Sequence, residues 1–417
     1  MKKFFLKNKF IQKLWLLLAL IGPGLITASA DNDASGIATY SMAGSRYGYN
    51  FLWLLVAVTF GEAIVQEMAA RMGVVTGKGM ADLIREKFGV KITVFAMICL
   101  LIANMGTTIS QFAGIAAGAE LIGLSRYIVI PIIALILTLL IMRGSYKGVE
   151  KVLIVLCMAS LSYVITAVIL KPDWNEILKA SFIPKVESFQ GDYLMALLAT
   201  IGTTITPWGI FYMQATIVDK GVKVTEYPMT KIDVILGAVW GNIISAFVII
   251  TTAATLYKSG IFVEEAEQAA MALAPLAGDW AKLLFSIGFI GASILAAMVL
   301  PLSTVYPIAE AFGWERGLNN KRKDAPIFYG LLGAVIIISA LIVLIPGLPL
   351  FKLMWTTQAI NAILLPVILI LLMKLANNKE LLGNYVNKKW QNYFSYSLMI
   401  IIGGATIVLL LDPLLFN

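Results

Sequence analysis

Apolar runs of roughly 20 residues recur along the whole chain, and each is long enough to cross a hydrocarbon core about 30 Å thick as a helix. Few architectures survive that constraint. In lipid the backbone must satisfy its own hydrogen bonds, so a spanning chain is either helical or a closed barrel. The alternation over segments of about ten residues that marks a barrel is absent. Composition agrees: of 417 residues, 59% are hydrophobic and 13% charged, and the mean hydropathy is +0.87, far from that of soluble globular chains. The chain reads as an all-α polytopic membrane protein with spans at 14–40, 51–70, 93–120, 127–142, 152–170, 193–218, 232–257, 282–311, 327–345, 351–374 and 394–411, in a single transmembrane domain over 1–417. The longer connections, 171–192 and 258–281, read as polar, amphipathic loops, and neither is long enough to hold a soluble domain.

With a cytoplasmic N-terminus, 24 of the 32 Lys and Arg residues fall in inside segments, which fixes the orientation by the positive-inside rule and puts the C-terminus outside. The net charge of +8 follows from that bias and gives no reason to invoke nucleic acid. The lipid bilayer is the implied partner, and no obligate protein partner is expected. The basic start, M-K-K-F-F-L-K-N-K-F-I-Q-K, followed by L-W-L-L-L-A-L and A-S-A, imitates a cleavable signal. The sequence runs straight on into another helix-length stretch, so the segment is expected to be retained. Cys99 and Cys157 both lie in apolar runs, which supports neither a disulfide framework nor a thiolate metal cluster. The chain contains no histidine. Trp53, Trp174, Trp280 and Tyr47 lie near span ends and read as interface anchors.

Two spans are marked for unwinding. In span 1, Gly22, Pro23 and Gly24 are followed by Asp31, Asn32, Asp33, Ser35 and Gly36, where helix propensity and hydrophobicity both fall. In span 6, I-G-T-T-I-T-P-W-G over 201–209 contains Pro207, which donates no backbone hydrogen bond, and Gly209. Five spans separate the breaks, the spacing of two five-helix repeats: about 14–170, and about 193–374, with an extra helix at about 394–411. That pattern is the signature of a secondary transporter with inverted repeats, whose substrate sits near the bilayer midplane between discontinuous helices. An acid at membrane depth costs several kcal/mol unless compensated. Half-helix C-terminal ends and two carboxylates favour a cation there. Two plainer readings stay open: the aspartates as caps of the second half-helix, and Pro207 with Gly209 as a simple kink.

The stretches G-P-G-L-I-T-A-S-A-D-N-D-A-S-G-I-A-T at 22–39, A-G-S-R-Y-G-Y at 43–49 and Q-E-M-A-A-R-M-G-V-V-T-G-K-G-M-A-D-L-I at 66–84 resemble the first helices of the Nramp divalent-metal transporters. The resemblance implies a leucine-transporter-like fold with two inverted five-helix repeats plus an eleventh helix, in the cell membrane of a prokaryote. Where the family carries Asp-Pro-Gly-Asn, this chain has Asp33-Ala34-Ser35-Gly36; where it carries Met-Pro-His, this chain has Thr206-Pro207-Trp208. The acid is kept and the thioether is lost, which is similar to the Nramp-related magnesium transporters. Carboxylate, hydroxyl, carbonyl and water ligands independently suit Mg²⁺, Ca²⁺ or Mn²⁺, while sulfur and imidazole suit softer ions. The resemblance implies Asp33 as principal ligand, the carbonyls of Gly36 and Thr203 at ligand positions, and the Thr206 hydroxyl in place of the methionine. Asp31 either joins the site or lines its vestibule. Asn32, Ala34, Trp208 and Gly209 are expected to shape the pocket. Gln358 and Asn361 in span 10 are candidates for contacting the ion or its waters, against the plainer reading of interhelical hydrogen bonds.

At the helix 3 positions where the family carries proton-handling acids, this chain has Thr108 and Gln111, and Trp208 replaces the helix 6 histidine. The relay is neutralised, and the expectation is uptake of Mg²⁺, also Mn²⁺, by alternating access, driven by membrane potential without proton coupling and without any cofactor. The alternatives within reach are a proton-coupled Mn²⁺ or Fe²⁺ importer and a sodium-coupled amino-acid symporter on the same fold. An ion channel or a non-transporting receptor is open on fold grounds. An enzyme is not expected, because no nucleophile constellation, nucleotide loop or metal triad appears. Glu62 and Glu67 are the remaining intramembrane acids: Glu62 belongs either to an exit path or to an interior hydrogen bond, and Glu67 is expected to pair with Arg71.

Overall fold

The computed structural model describes residues 32–142, 158–188, 191–315, 317 and 322–415. The first part of span 1 with Asp31, and the start of span 5 with Cys157, lie outside them. Among the described residues there is no strand, and eight helical stretches are long and apolar enough to cross a membrane, with shorter apolar helices at Arg126–Ile141 and Leu161–Leu170. The principal helices are α1 (Ala34–Tyr47), α2 (Leu52–Thr76), α3 (Met80–Leu121), α4 (Arg126–Met142), α5 (Leu161–Leu170), α6 (Trp174–Phe182), α7 (Gly191–Thr204), α8 (Pro207–Asp219), α9 (Tyr227–Thr255), α10 (Ala281–Phe312), α11 (Pro326–Val343), α12 (Leu350–Ala376) and α13 (Lys389–Leu415).

The break expected in span 6 is present, and the described part of span 1 opens on a capped helix start. α1 begins only at Ala34, with Asp33 extended at φ −78° and ψ 178°. α7 stops at Thr204 and α8 restarts at Pro207, with Thr206 extended at φ −89° and ψ 137°. The restarts share one local design. Asp33 accepts from the Gly36 N–H at 2.7 Å, and Thr206 accepts from the Gly209 N–H at 3.3 Å. Each is a side-chain N-cap acting on a glycine three residues on, which satisfies one of the orphan donors of a new helix.

The packing that surrounds the breaks is close. α3 runs between α10 and α12, α7 lies along α12, and α9 crosses α1 and α2. A Cβ on Gly202 would overlap the Gln358 carbonyl, so α7 and α12 touch backbone to backbone beside the break. A Cβ on Gly114 of α3 would overlap both Ala34 and Ser293. Small residues allow this approach where lipid supplies no hydrophobic drive between helices.

Several boundaries differ from the sequence expectation. The helix expected over 93–120 is the second part of α3. Gly89, at φ 77° and ψ 175°, separates it from an amphipathic lead that buries Met80, Leu83 and Ile84 and exposes Arg85, Glu86 and Lys87. Those charges hid a helix that lies at the surface. The connections 171–192 and 258–281 also contain helices: α6, capped by Asp173 on the Asn175 N–H at 2.9 Å, and short turns at Ala266–Met271 and Ala274–Ala277. Trp174 and Trp280 are exposed as expected of anchors. Tyr47 instead stacks on Phe51 at 4.9 Å and meets Tyr193 edge-on at 5.3 Å, inside an aromatic cluster.

Arg71 lies 3.3 Å from Glu67, one turn away on α2. Glu67 also accepts from Tyr227 of α9 and from Gln391 of α13 at 2.9 Å, and Arg71 donates to the Tyr385 carbonyl at 2.7 Å. Both charges are buried. Removing one partner of such a pair strands the other, so Arg71→Met is expected to destabilise the fold by about 3 kcal/mol or more. Denaturant unfolding in detergent checks it, and an unchanged midpoint would show that the pair contributes nothing net.

Candidate metal site

Asp33 stands at the mouth of the first break and is 4% exposed. Its Oδ1 accepts from the Gly36 N–H and from the Ser35 hydroxyl, each at 2.7 Å, and its Oδ2 accepts from Gln111 Nε2 at 2.5 Å. The cap reading of Asp33 is therefore true of its Oδ1, while Oδ2 faces α3. Gln358 Nε2 donates to the Ser35 hydroxyl at 2.7 Å, Asn361 Nδ2 donates to Gln358 Oε1 at 2.8 Å and also to the Thr107 hydroxyl at 2.8 Å. One buried polar network thus joins α1, α3 and α12 around a single carboxylate.

That network brings together Asp33, Gln111, Gln358 and Asn361. Thr108 turns back to its own helix, donating to the Asn104 carbonyl at 2.7 Å, and it is Thr107 that reaches α12. Ala34 is fully buried against α3 at Gly114. Gly36 is the third residue of α1, so its carbonyl points along the helix toward the next turn. Thr203 differs: Pro207 stands four residues on and has no N–H, which leaves the Thr203 carbonyl without its helical donor. Asn32 donates to the Gly241 carbonyl at 3.1 Å and accepts from Ser245 at 3.2 Å, tying the break to α9. Trp208 packs among Ala296 and Leu300 of α10 in an apolar cluster with Tyr212. Asp31 lies outside the described residues.

Two oxygens of this region are buried without a donor, Gln111 Oε1 and Asn361 Oδ1. An orphaned buried acceptor is costly, and a cation satisfies it as well as a donor does. Among the described residues no three His, Cys, Asp or Glu side chains converge on one point. An ion held at Asp33 would thus be met by one carboxylate, the amide and hydroxyl oxygens of its network and its own waters. That donor set is hard and suits Mg²⁺ or Mn²⁺.

A wide cavity of about 700 Å³ opens at the end of the bundle where α1 and α3 finish and α7 and α12 begin, lined by Arg46, Glu120, Asp192, Glu264 and Trp355. Arg46 lies 3.5 Å from Glu264 and 5.6 Å from the Trp355 ring centre. The cavity wall carries both signs of charge, with Glu120 paired to Arg126, Glu264 to Arg46 and Glu267 to Lys282.

Sequence reading missed Ser35 as the hub of the network and Thr107 as its link to α12. The signal for the latter was present: Asn104, Thr107, Thr108 and Gln111 recur at helical spacing and give α3 one polar stripe.

Residues 24–412 match the Nramp family, described as natural resistance-associated macrophage protein-like. The divalent metal cation transporter MntH of Bacillus subtilis is 25% identical over 407 residues, covering 95% of this chain and 92% of that protein. The protein of the same name from Yersinia pestis is 26% identical over 405 residues, with 95% and 96% covered. Among solved structures, the Eremococcus coleocola manganese transporter, in complex with an aromatic bis-isothiourea substituted compound, superposes with a TM-score of 0.75 at 22% identity, covering 96% of this chain and 87% of that one. Mhp1, a nucleobase-cation-symport-1 family transporter in a closed conformation, has a TM-score of 0.58 at 12% identity, over 94% and 90% of the two chains. These likenesses establish the leucine-transporter-like fold, and the match along nearly the whole length makes this chain a member of the Nramp family.

Proposed function

We propose that the chain is a divalent-cation importer that carries Mg²⁺, and also Mn²⁺, by alternating access, driven by the membrane potential and without proton coupling. The relatives' shared description as divalent metal cation transporters supports the class. One observation carries the finer reading: the carboxylate of Asp33 is surrounded by Ser35, Gln111 and Gln358, with Thr206 at the second break and neither sulfur nor imidazole among these partners. In this reading Asp33 is the main ligand, Thr203 offers its carbonyl and Thr206 its hydroxyl. Gln358 and Asn361 hold the ion or its waters, and Gly209, which has no side chain beside Thr206, leaves room for part of the hydration shell. Asp31, if it joins the site, adds the second carboxylate. Gly36 serves through its N–H, as the anchor that orients Asp33.

Gln111 argues against proton coupling. Its amide occupies Oδ2 of Asp33 at 2.5 Å, and an amide does not titrate in the physiological range. With no histidine in the chain, no side chain here has an ordinary pKa near neutrality. The two-repeat organisation, 14–170 and 193–374, supplies the rocking halves that alternating access needs.

The test is uptake of Mg²⁺, Mn²⁺ and Cd²⁺ into proteoliposomes with a pH-sensitive dye inside. Saturable Mg²⁺ and Mn²⁺ entry with weak Cd²⁺ competition and no acidification is the expected result. Proton influx that rises and saturates with metal entry would instead favour a coupled Mn²⁺ or Fe²⁺ importer.

A further inference from the structure

Between α2, α9 and α13 the structure holds an open groove of about 410 Å³ that metal binding at Asp33 does not use. Ile64 and Ile250 belong to its buried floor, and Phe60 of α2 and Ile243 of α9 stand exposed along its edges. The hydroxyls in the wall bond back to their own helices: Thr59 donates to the Leu55 carbonyl at 2.6 Å and Ser181 to the Ile177 carbonyl at 2.8 Å. Hydrocarbon dominates the surface that remains. From Lys231 to Ile250 the groove runs about 28 Å along α9, longer than one leaflet's share of a hydrocarbon core about 30 Å thick.

One end of the groove is charged. Lys231, near the start of α9, lines it and is partly exposed, and among the described residues no carboxylate lies within ion-pair distance of it. Glu67 lines the same end, but Arg71 lies 3.3 Å from it and Tyr227 and Gln391 donate to it, so its charge is answered within the fold. Trp390, 48% exposed, also lines the groove, with its ring centre 6.1 Å from that of Phe60; an exposed indole at the end of a span is an interfacial anchor. Lys388 and Lys389, exposed next to Trp390 along the chain, add positive charge there.

We propose that this groove binds a phospholipid with an anionic headgroup, one acyl chain lying between α2, α9 and α13 and the phosphate meeting Lys231. An apolar slot takes any acyl chain; the lysine at its lip selects the headgroup. A zwitterionic headgroup carries its own ammonium beside the phosphate, which offsets the attraction, whereas a headgroup whose only charge is the phosphate keeps it whole. The occupant ties α2 and α9 to α13 at the end where Glu67 already bonds Tyr227 of α9 and Gln391 of α13, and a ligand of the native state stabilises it by mass action.

The thermal midpoint of the purified full chain, stripped of lipid in detergent and titrated with phosphatidylglycerol or with phosphatidylcholine of the same acyl chains, tests the proposal independently of transport. A saturable rise specific to phosphatidylglycerol is expected, with an apparent affinity about fivefold weaker in Lys231→Gln. Ala63→Phe, which fills the slot beside Phe60 and keeps Lys231, is expected to lose most of the response, and Lys258→Gln, beyond the other end of α9, to keep it. Equal rises with both lipids would mean that bilayer chains occupy the groove without selection, and the proposal fails; a midpoint indifferent to both sinks it as well. It fails equally if Lys231→Gln or a folded Ala63→Phe responds as the parent does, or if Lys258→Gln loses as much as Lys231→Gln, because the charge effect would then belong to the whole surface. Lys231→Gln changes only the lip of the groove and decides the case if Ala63→Phe does not fold.

Discussion

Asp33→Asn is expected to fold as the parent does and to lose divalent binding by two to three orders of magnitude, corresponding to about 3 to 4 kcal/mol for stripping one partner from a buried charge pair. The substitution separates the cap role of Asp33 from its proposed role as ligand. As an N-cap, asparagine serves about as well as aspartate, so the bond from the Gly36 N–H, now 2.7 Å, survives. As a ligand, the amide brings no charge, and among the described residues no other carboxylate bonds to the Ser35, Gln111 and Gln358 network. Asp33→Ala provides the contrast: it loses the ligand and also about 1 kcal/mol of cap. Isothermal titration of Mg²⁺ and Mn²⁺, read beside the thermal midpoint of each variant, tells the roles apart. Asp33→Asn binding like the parent would reduce Asp33 to a cap.

How much of this was legible in the sequence differs from element to element. The breaks were, because Pro207 and the run Asp31 to Gly36 violate both hydrophobicity and helix propensity inside apolar spans, and both restarts fall within a few residues of those signals. The place where each helix resumes was not. An unwound stretch through Gly36 looked natural from its glycine, yet capping by Asp33 lets helix begin at Ala34. The cap is a local hydrogen bond that propensity alone does not report. Gln111 was legible as a position and not as a contact: its amide meets Asp33 only because Gly114, Ala34 and Ser293 let α1, α3 and α10 close together. Glu62 was legible as an intramembrane acid; Gln66 bonds it from one turn on along α2, and its amide partner 180 positions away on α9 is a product of tertiary packing. The surface lead of α3 was obscured by the exposed charges Arg85, Glu86 and Lys87 on its outer face.

The proposed lack of proton coupling carries the largest quantitative consequence. A doubly charged ion entering along the field gains about 4.6 kcal/mol per 100 mV, twice the roughly 2.3 kcal/mol of a unit charge, which is an accumulation of more than about a thousandfold at equilibrium. Proteoliposomes with a potassium diffusion potential, inside negative, and equal pH and sodium on both faces are therefore expected to concentrate Mg²⁺ steeply, and to stop doing so when the potential is collapsed. Reversing its sign should empty preloaded vesicles. A proton-coupled carrier behaves differently, because an imposed pH gradient at zero potential would then drive uptake. In this chain such a gradient is expected to do nothing, since Gln111 holds Asp33 Oδ2 with an amide and the helix 6 position next to Pro207 carries the buried indole of Trp208. Uptake that follows the pH gradient and ignores the potential would require a titrating acid in the pathway, and Glu62 would be the residue to neutralise next.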